Sequence, residues 1–454
     1  MADESGSTWV PVDEGSPFPI SNLPYGVFSV GGGPARVGVA IGSSVVDLAA
    51  LAGTGLLPGL DGAFAQPSLN RFMAHGPRAW AVVRERLTTL LRQPQRQAAM
   101  ARALHPLDSV RLRLPIEVAD FVDFYSSLDH ATNMGHMLRP EGPALPPAWR
   151  HLPIGYHGRA GTVVVSGAPV LRPWGQVGEG EFRPTAKLDF EAEVAFVVGA
   201  GSRRGHPVTA ASLAEHAFGV VLVNDWSARD IQSWEYQPLG PFLGKSFATS
   251  ISPWVVPLEA LRGARVAAPA QDPPPLAYLH DAEPWSLDLT LEVRLNGEVI
   301  SRPPFAGTYW TPGQQLAHLT ANGASLRTGD LLASGTVSGR EPGQRGSLME
   351  LGWNGTAPLT LADGTTRAWL HDGDTVSISG WAPGADGTRI GWGEVSGTIH
   401  PAHPAHPALP GHPADPALPG DPALPAHPAH PAHPARPAHP GAPAHPGHPG
   451  PGTP

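Results

Sequence analysis

Three stretches of this chain concentrate side chains able to do chemistry. "DFYSSLDHATNMGHML", residues 123–138, offers Asp123, Tyr125, His130 and His136 as metal ligands, as general bases or as plain polar groups on a helix. "LDFEAEVAFVV" sets Glu191 and Glu193 two apart, so in a strand both side chains leave the same face. Two like charges in an apolar run are costly unless a cation or water compensates them, or unless that strand edge faces solvent. "VVLVNDWSARDIQSWEYQPLGPFLGKSF" ends an apolar strand in Asn224 and Asp225 and then reads as a helix. Spacings of four, three and four put Asp225, Arg229, Gln232 and Tyr236 on one helical face, with Lys245 and Thr249 beyond a Pro/Gly-rich turn. The ordinary alternative is a solvated polar face.

Asp123, Glu191, Glu193 and Asp225 make four carboxylates, and the 454-residue chain contains no cysteine. An all-oxygen set of this kind suits Ca2+ or Mg2+ rather than zinc. The lack of cysteine also removes disulfides and a thiol nucleophile. A net charge of −9 argues against a nucleic-acid partner. The N-terminal "MADESGSTWVPVDEGS" has no apolar signal core, and no run approaches the roughly 18 apolar residues of a membrane span. A soluble, cytoplasmic protein is expected. Two glycine-rich stretches imitate phosphate loops without meeting their spacing: "GPFLGKS" is one residue short and stiffened by Pro241, and "GAGSRRG" does not fit the dinucleotide pattern.

The scaffold that must position these groups reads as mainly β. Residues 25–51 read as strand, turn, strand, turn and strand, and residues 77–104 have helical periodicity with a break near Pro94. Together they predict a small N-terminal domain over 1–114, structural or dimer-supporting, without a catalytic constellation. From 115 to 399 short β-rich runs such as "GTVVVSG", "FGVVLVND" and "GDTVSISG" alternate with Gly/Pro turns, predicting a mainly antiparallel barrel, roll or sandwich. From 401 to 449 proline recurs at every third residue. Polyproline II has the same period, and a stretch so poor in bulky apolar residues cannot build a core. Residues 400–454 are therefore expected to form a disordered Pro/Ala/His-rich tail.

The blocks "DFYSSLDHATNMG", "HLPIGYHGRAGTVVVSG", "LDFEAEVAFVVG", "NDWSARDIQSWEYQPLGPFLGKSFATSISPWVV" and "LRTGDLLASGTVSG" resemble the fumarylacetoacetate hydrolase family over residues 115–399. The resemblance implies a small SH3-like N-terminal domain before a large mixed β-roll catalytic domain, and a homodimer. It implies a diketo-diacid substrate, 4-fumarylacetoacetate, hydrolysed at a carbon–carbon bond to fumarate and acetoacetate, the last step of tyrosine and phenylalanine breakdown. Carried over residue by residue, it implies Ca2+ on Asp123, Glu191, Glu193 and Asp225, and Mg2+ at Asp225 with Lys245 and Thr249 close by. His130 would be the general base, oriented by Glu350 of "GSLMELGWNG"; Arg229, Gln232 and Lys245 would stabilise an oxyanion. Tyr125, Arg139, Gln232, Tyr236 and Thr336 would hold the substrate, while His136 and His157 would be structural. The tail has no counterpart in the family. Two rivals stand beside this reading: a related hydrolase acting on a short acylpyruvate, and a metal-handling protein whose histidine-rich tail is the working part.

Overall fold

Along Ala192–Val198, alternate side chains enter different cores. Val194, Phe196 and Val198 join one buried cluster, and Ala195 and Val197 join another on the opposite face. With both faces covered, the strand reads as an unbroken apolar run after Glu193. The computed structural model describes residues 8–404, and within them this strand is the middle of a 13-stranded mixed sheet. It pairs antiparallel with Ala217–Asp225 on one side and with Leu331–Ala333 on the other. Leu331–Ala333 lies parallel to Phe121–Phe124, which pairs antiparallel with Gly155–His157. Thr249–Ile251 and Trp254–Pro257 line the far edge of Ala217–Asp225.

Register brings the chemistry to one end of this sheet. Asp123 lies opposite Tyr156 and beside Ala333, Asn224 opposite Ala192, and Asp225 opposite Thr249. A five-stranded sheet that includes Thr290–Leu295, Thr375–Pro383 and Arg389–His400 contributes Leu291, Val293, Val376, Ile378 and Val395 to the larger core.

The N-terminal strands Tyr25–Val30, Arg36–Ile41 and Ser44–Asp47 form the expected meander. The last of the expected β segment is instead a short helix, Leu48–Gly53, because Asp47 Oδ1 caps it by accepting the Ala50 N–H at 3.0 Å. The helix Gly76–Arg92 stops just before Pro94, which has no N–H to continue it and biases Gln93 towards extended backbone. These strands do not form a sheet of their own. Tyr25 pairs with Val255 and Gly26 with Trp254, joining the meander to the catalytic strands. A Cβ at Gly26 would lie 2.6 Å from the Trp254 ring, so only glycine permits this approach. The architecture is mainly β, with an N-terminal domain and a large mixed-sheet catalytic domain.

The last strand runs through His400, opposite Leu171. The expected Pro/His-rich tail lies, beyond residue 404, outside the described residues. Among the described residues no helix is long and apolar enough to cross a membrane.

Candidate active site

Asp123, Glu191, Glu193 and Asp225 are all buried, and each offers an oxygen within 4.8 Å of the other three. The solvent-facing alternative for Glu191 and Glu193 is thereby excluded. Both oxygens of Glu193 and Oδ1 of Asp123 have no hydrogen-bond partner. Burial, reinforced by Asp225, pushes the Asp123 carboxyl up to about 8. Burial also lifts Glu193 well above the usual range, with Asp123 and Asp225 adding to the effect, and it raises Asp225 despite Lys245. Orphaned buried carboxylate oxygens mark a place for a cation. The spread fits a hard divalent ion: two opposed ligands at about 2.4 Å from Ca2+ span the same distance.

Protein cations cover one flank of the cluster. Lys245 Nζ donates to Glu191 Oε2, and to Asp225 Oδ2 at 2.9 Å. Thr249 Oγ1 donates to Asp225 Oδ1 at 2.7 Å, and Tyr156 donates to Asp225 Oδ2 at 3.1 Å. Arg229 spreads its fork over three acceptors: Asp189 Oδ2 at 2.8 Å, Glu191 Oε1 at 2.7 Å and Gln232 Oε1 at 3.0 Å. Burial alone would raise Glu191, but Lys245 and Arg229 hold it below the ordinary carboxylate range. Asp225 and Glu191 in turn hold the buried Lys245 protonated. An ammonium has no lone pair, so Lys245 serves here as a charge partner of the carboxylates.

Next to this cluster, Ser127 caps the helix Leu128–Leu138 by accepting the His130 N–H, and His130 points inward from the first turn. Its Nδ1 lies 2.7 Å from Glu350 Oε2. The same oxygen accepts Ser338 and Ser347 hydroxyls, each at 2.9 Å, while Oε1 accepts Asn133 at 2.9 Å. Burial acts to raise Glu350, but His130, Asn133 and Ser347 hold it below its ordinary value. An ionised carboxylate only accepts, so Nδ1 carries its proton towards Glu350, and in the neutral imidazole the lone pair then lies on Nε2. The Tyr125 ring meets the imidazole edge-on at 5.3 Å.

The expected helical face from Asp225 to Tyr236 does not exist as such. Asp225 ends the strand Ala217–Asp225, the two-residue strand Ser227–Ala228 follows, and the helix covers only Arg229–Glu235. Trp226, fully buried between them with Nε1 on Ser250 Oγ at 2.9 Å, fixes this departure from helical geometry. Arg229 and Gln232 do share a helix face, whereas Tyr236 caps the helix and accepts from Gln237 Nε2. Thr336 is buried with its hydroxyl unpartnered, and Arg139 donates to the Ala144 carbonyl at 2.8 Å. His136 is exposed in the last turn of its helix, and His157 is exposed and 3.5 Å from Asp120. Sequence reasoning passed over Tyr156, Asp189, Asn133, Ser338 and Ser347. All five sat inside quoted blocks, Tyr156 in "GYHG" and Asp189 in "LDFEAE" among them.

A buried acidic cation site, a histidine–carboxylate pair and fixed cationic donors are the equipment of a metal-assisted hydrolase. Residues 120–399 match the fumarylacetoacetate (FAA) hydrolase C-terminal family, and residues 21–115 match the fumarylacetoacetase N-terminal family. The chain is 49% identical to the fumarylacetoacetase of Homo sapiens over 415 residues, covering 87% of this chain and 99% of that one. It is 46% identical to the fumarylacetoacetase of Arabidopsis thaliana over 418 residues, with the same coverage of 87% and 99%. A solved fumarylacetoacetate hydrolase from Exiguobacterium antarcticum shares the fold at 19% identity and a TM-score of 0.50, covering 84% of this chain and 100% of that one. The chain belongs to the fumarylacetoacetate hydrolase family.

Proposed function

We propose that this protein hydrolyses 4-fumarylacetoacetate to fumarate and acetoacetate. The observation that carries the reading is the orphaned carboxylate cluster lying beside the His130–Glu350 pair. Asp123, Glu191, Glu193 and Asp225 would hold Ca2+, with Mg2+ beside Asp225 near Lys245 and Thr249. A bound divalent ion supplies Lewis-acid charge for a dicarbonyl and for the enolate that departs.

The remaining work falls to side chains. His130 Nε2 takes a proton from water, and the resulting hydroxide adds to the carbonyl carbon on the fumaryl side. Glu350 stabilises the imidazolium, a contribution of ~10²–10⁴ in rate for the pair acting as general base. Arg229, the Gln232 amide and Lys245 donate to the oxyanion. The carbon–carbon bond then breaks, its electron pair leaves on acetoacetate as an enolate, and protonation of that enolate completes the products. Tyr125, Arg139, Tyr236 and Thr336 hold the substrate; the unpartnered Thr336 hydroxyl supports its place in that group.

Trp234, in the last turn of the Arg229–Glu235 helix, and Leu239, Phe242 and Leu243 in the segment that follows are exposed apolar side chains and support a homodimer, which light scattering after gel filtration tests. The cytoplasm, permitted by the cysteine-free composition, is the proposed compartment. The decisive experiment follows the ultraviolet absorbance of fumarylacetoacetate with metal-stripped protein, adding back Mg2+ and Ca2+ separately. A higher kcat/KM for a short acylpyruvate, assayed side by side, would assign the protein to a different reaction.

A further inference from the structure

Asp189 is 0% exposed, and none of the roles above uses it. Its two-residue strand, Leu188–Asp189, pairs antiparallel with Ser227–Ala228, which sets the carboxylate beside the start of the Arg229 helix. Oδ2 accepts Arg229 Nε at 2.8 Å and the Met349 N–H at 3.2 Å. Oδ1 accepts the Leu348 N–H at 2.8 Å and the Phe190 N–H at 2.8 Å. Leu348 and Met349 open the short helix Leu348–Leu351, which carries Glu350.

The first N–H groups of a helix have no partner within it. Ser347 Oγ accepts the Glu350 N–H at 3.2 Å, and Asp189, from a different part of the fold, accepts those of Leu348 and Met349. The same carboxylate fixes one edge of the Arg229 fork, whose other arms reach Glu191 and Gln232. Rotation or loss of this one group therefore displaces both the cationic donor and the carboxylate that holds His130.

We propose that Asp189 is a positioning residue: it holds Arg229 and the Glu350–His130 pair in one fixed relation, so that water is deprotonated where the oxyanion donors already point. This rests on the catalytic reading given under Proposed function.

Asp189→Asn is isosteric. It keeps an oxygen for the Leu348 N–H but turns an NH2 towards Arg229 Nε–H, where neither group accepts. We expect kcat to fall about 100-fold, the scale of a displacement near 1 Å, with KM changed less than about threefold. Added to Arg229→Gln, or to Glu350→Gln, the same change should cost less than about threefold more, because groups acting as a unit are non-additive. A full additional cost in both backgrounds would mean a purely structural role and would overturn the proposal. A second readout needs no substrate: the downfield proton resonance of His130 Nδ1–H, assigned by its loss in His130→Ala, should shift or broaden in Asp189→Asn. An unmoved resonance with kcat within threefold of the parent also overturns it. If the parent protein does not cleave fumarylacetoacetate, the functional reading fails and the resonance alone decides the role of Asp189. Should the Asn variant not fold, Asp189→Ser, whose shorter side chain withdraws the acceptor from Arg229 and from Leu348 without turning a donor towards either, is read in its place with the same expected outcomes.

Discussion

His130 and Glu350 stand 220 positions apart in the chain, yet Nδ1 of one lies 2.7 Å from Oε2 of the other. The pair fixes the tautomer, and the tautomer fixes which nitrogen meets water. His130→Ala should lower kcat by ~10²–10⁴ while KM changes little, since the base acts on water. Glu350→Gln should cost less, because the amide oxygen can still accept the Nδ1 proton. Steady-state kinetics of both variants check this; near-parent turnover in His130→Ala would remove the histidine from the mechanism.

Metal removal should abolish turnover and lower the melting temperature together. An ion bound at 100 times its Kd adds ~2.7 kcal/mol to stability, and at an unfolding entropy of about 2 cal/mol/K per residue each kcal/mol moves the Tm of so long a chain by about 1 °C. Asp225→Ala should be the most damaging ligand change, because Asp225 also accepts from Lys245, Thr249 and Tyr156. Thermal melts and turnover with and without a chelator, then with Ca2+ or Mg2+ restored, measure both effects. Full activity after exhaustive chelation would contradict the assignment.

Lys245→Met should destabilise the metal-free protein by about 3–5 kcal/mol, the cost of leaving a buried charge without its partner. With metal present the loss should be smaller, since the ion replaces part of the missing positive charge. Denaturant unfolding in the two conditions tests the difference. Equal losses would show that Lys245 and the ion do not share the same carboxylates.

Asp330 offers a pH test away from the metal cluster. It is buried, one oxygen accepts the Arg327 N–H at 2.8 Å, and burial pushes its carboxyl up to about 6. A carboxyl with a raised pKa binds its proton more tightly in the folded protein. Its contribution to folding is therefore fully present below about 4, declines as pH rises, and is lost above about 6, a change of ~3 kcal/mol in all. Asp330→Asn should gain on the parent in Tm as pH rises from 4 to 6 and hold a constant difference above that. Parallel Tm–pH curves across this window would refute the shift.

The Pro/His-rich tail should be dispensable, with the cut placed by the last ladder contacts. The His400 carbonyl accepts the Arg172 N–H at 3.0 Å, and the His403 carbonyl accepts Trp174 Nε1 at 3.1 Å. Truncation after Pro404 should leave kcat/KM and Tm unchanged, whereas truncation after Ile399 should lower Tm. A tenfold loss of activity in the Pro404 truncation would give the tail a catalytic part.

Period-two spacing was enough to pair Glu191 with Glu193, a local property that survives folding. Asp123 and Asp225 joined them on the family resemblance, and only the fold brings the four together. Helical spacing misled at Asp225, because i, i+4 arithmetic cannot see that a buried Trp226 ends the regular backbone. Asp189 was hidden for the opposite reason. It shares a block with Glu191, but its partners Arg229, Leu348 and Met349 come from two distant segments. Ser338 and Ser347 show the same limit: hydroxyls are common, and only the fold reveals which of them converge on Glu350.

Because Tyr25 pairs with Val255, a strand near the start of the described residues has one of its sheet partners far downstream. At about 5–20 residues per second, the interval between them is on the order of ten seconds or more. Val110–Arg113 covers Val27–Val30 well before then, but the Tyr25–Gly26 end of that edge stays unpaired, and apolar residues that will later pack on the catalytic sheet remain uncovered. The nascent chain is then most open to strand addition by another copy. Its yield in a cell thus depends on what shields the N-terminal edge during synthesis as well as on the stability of the finished protein.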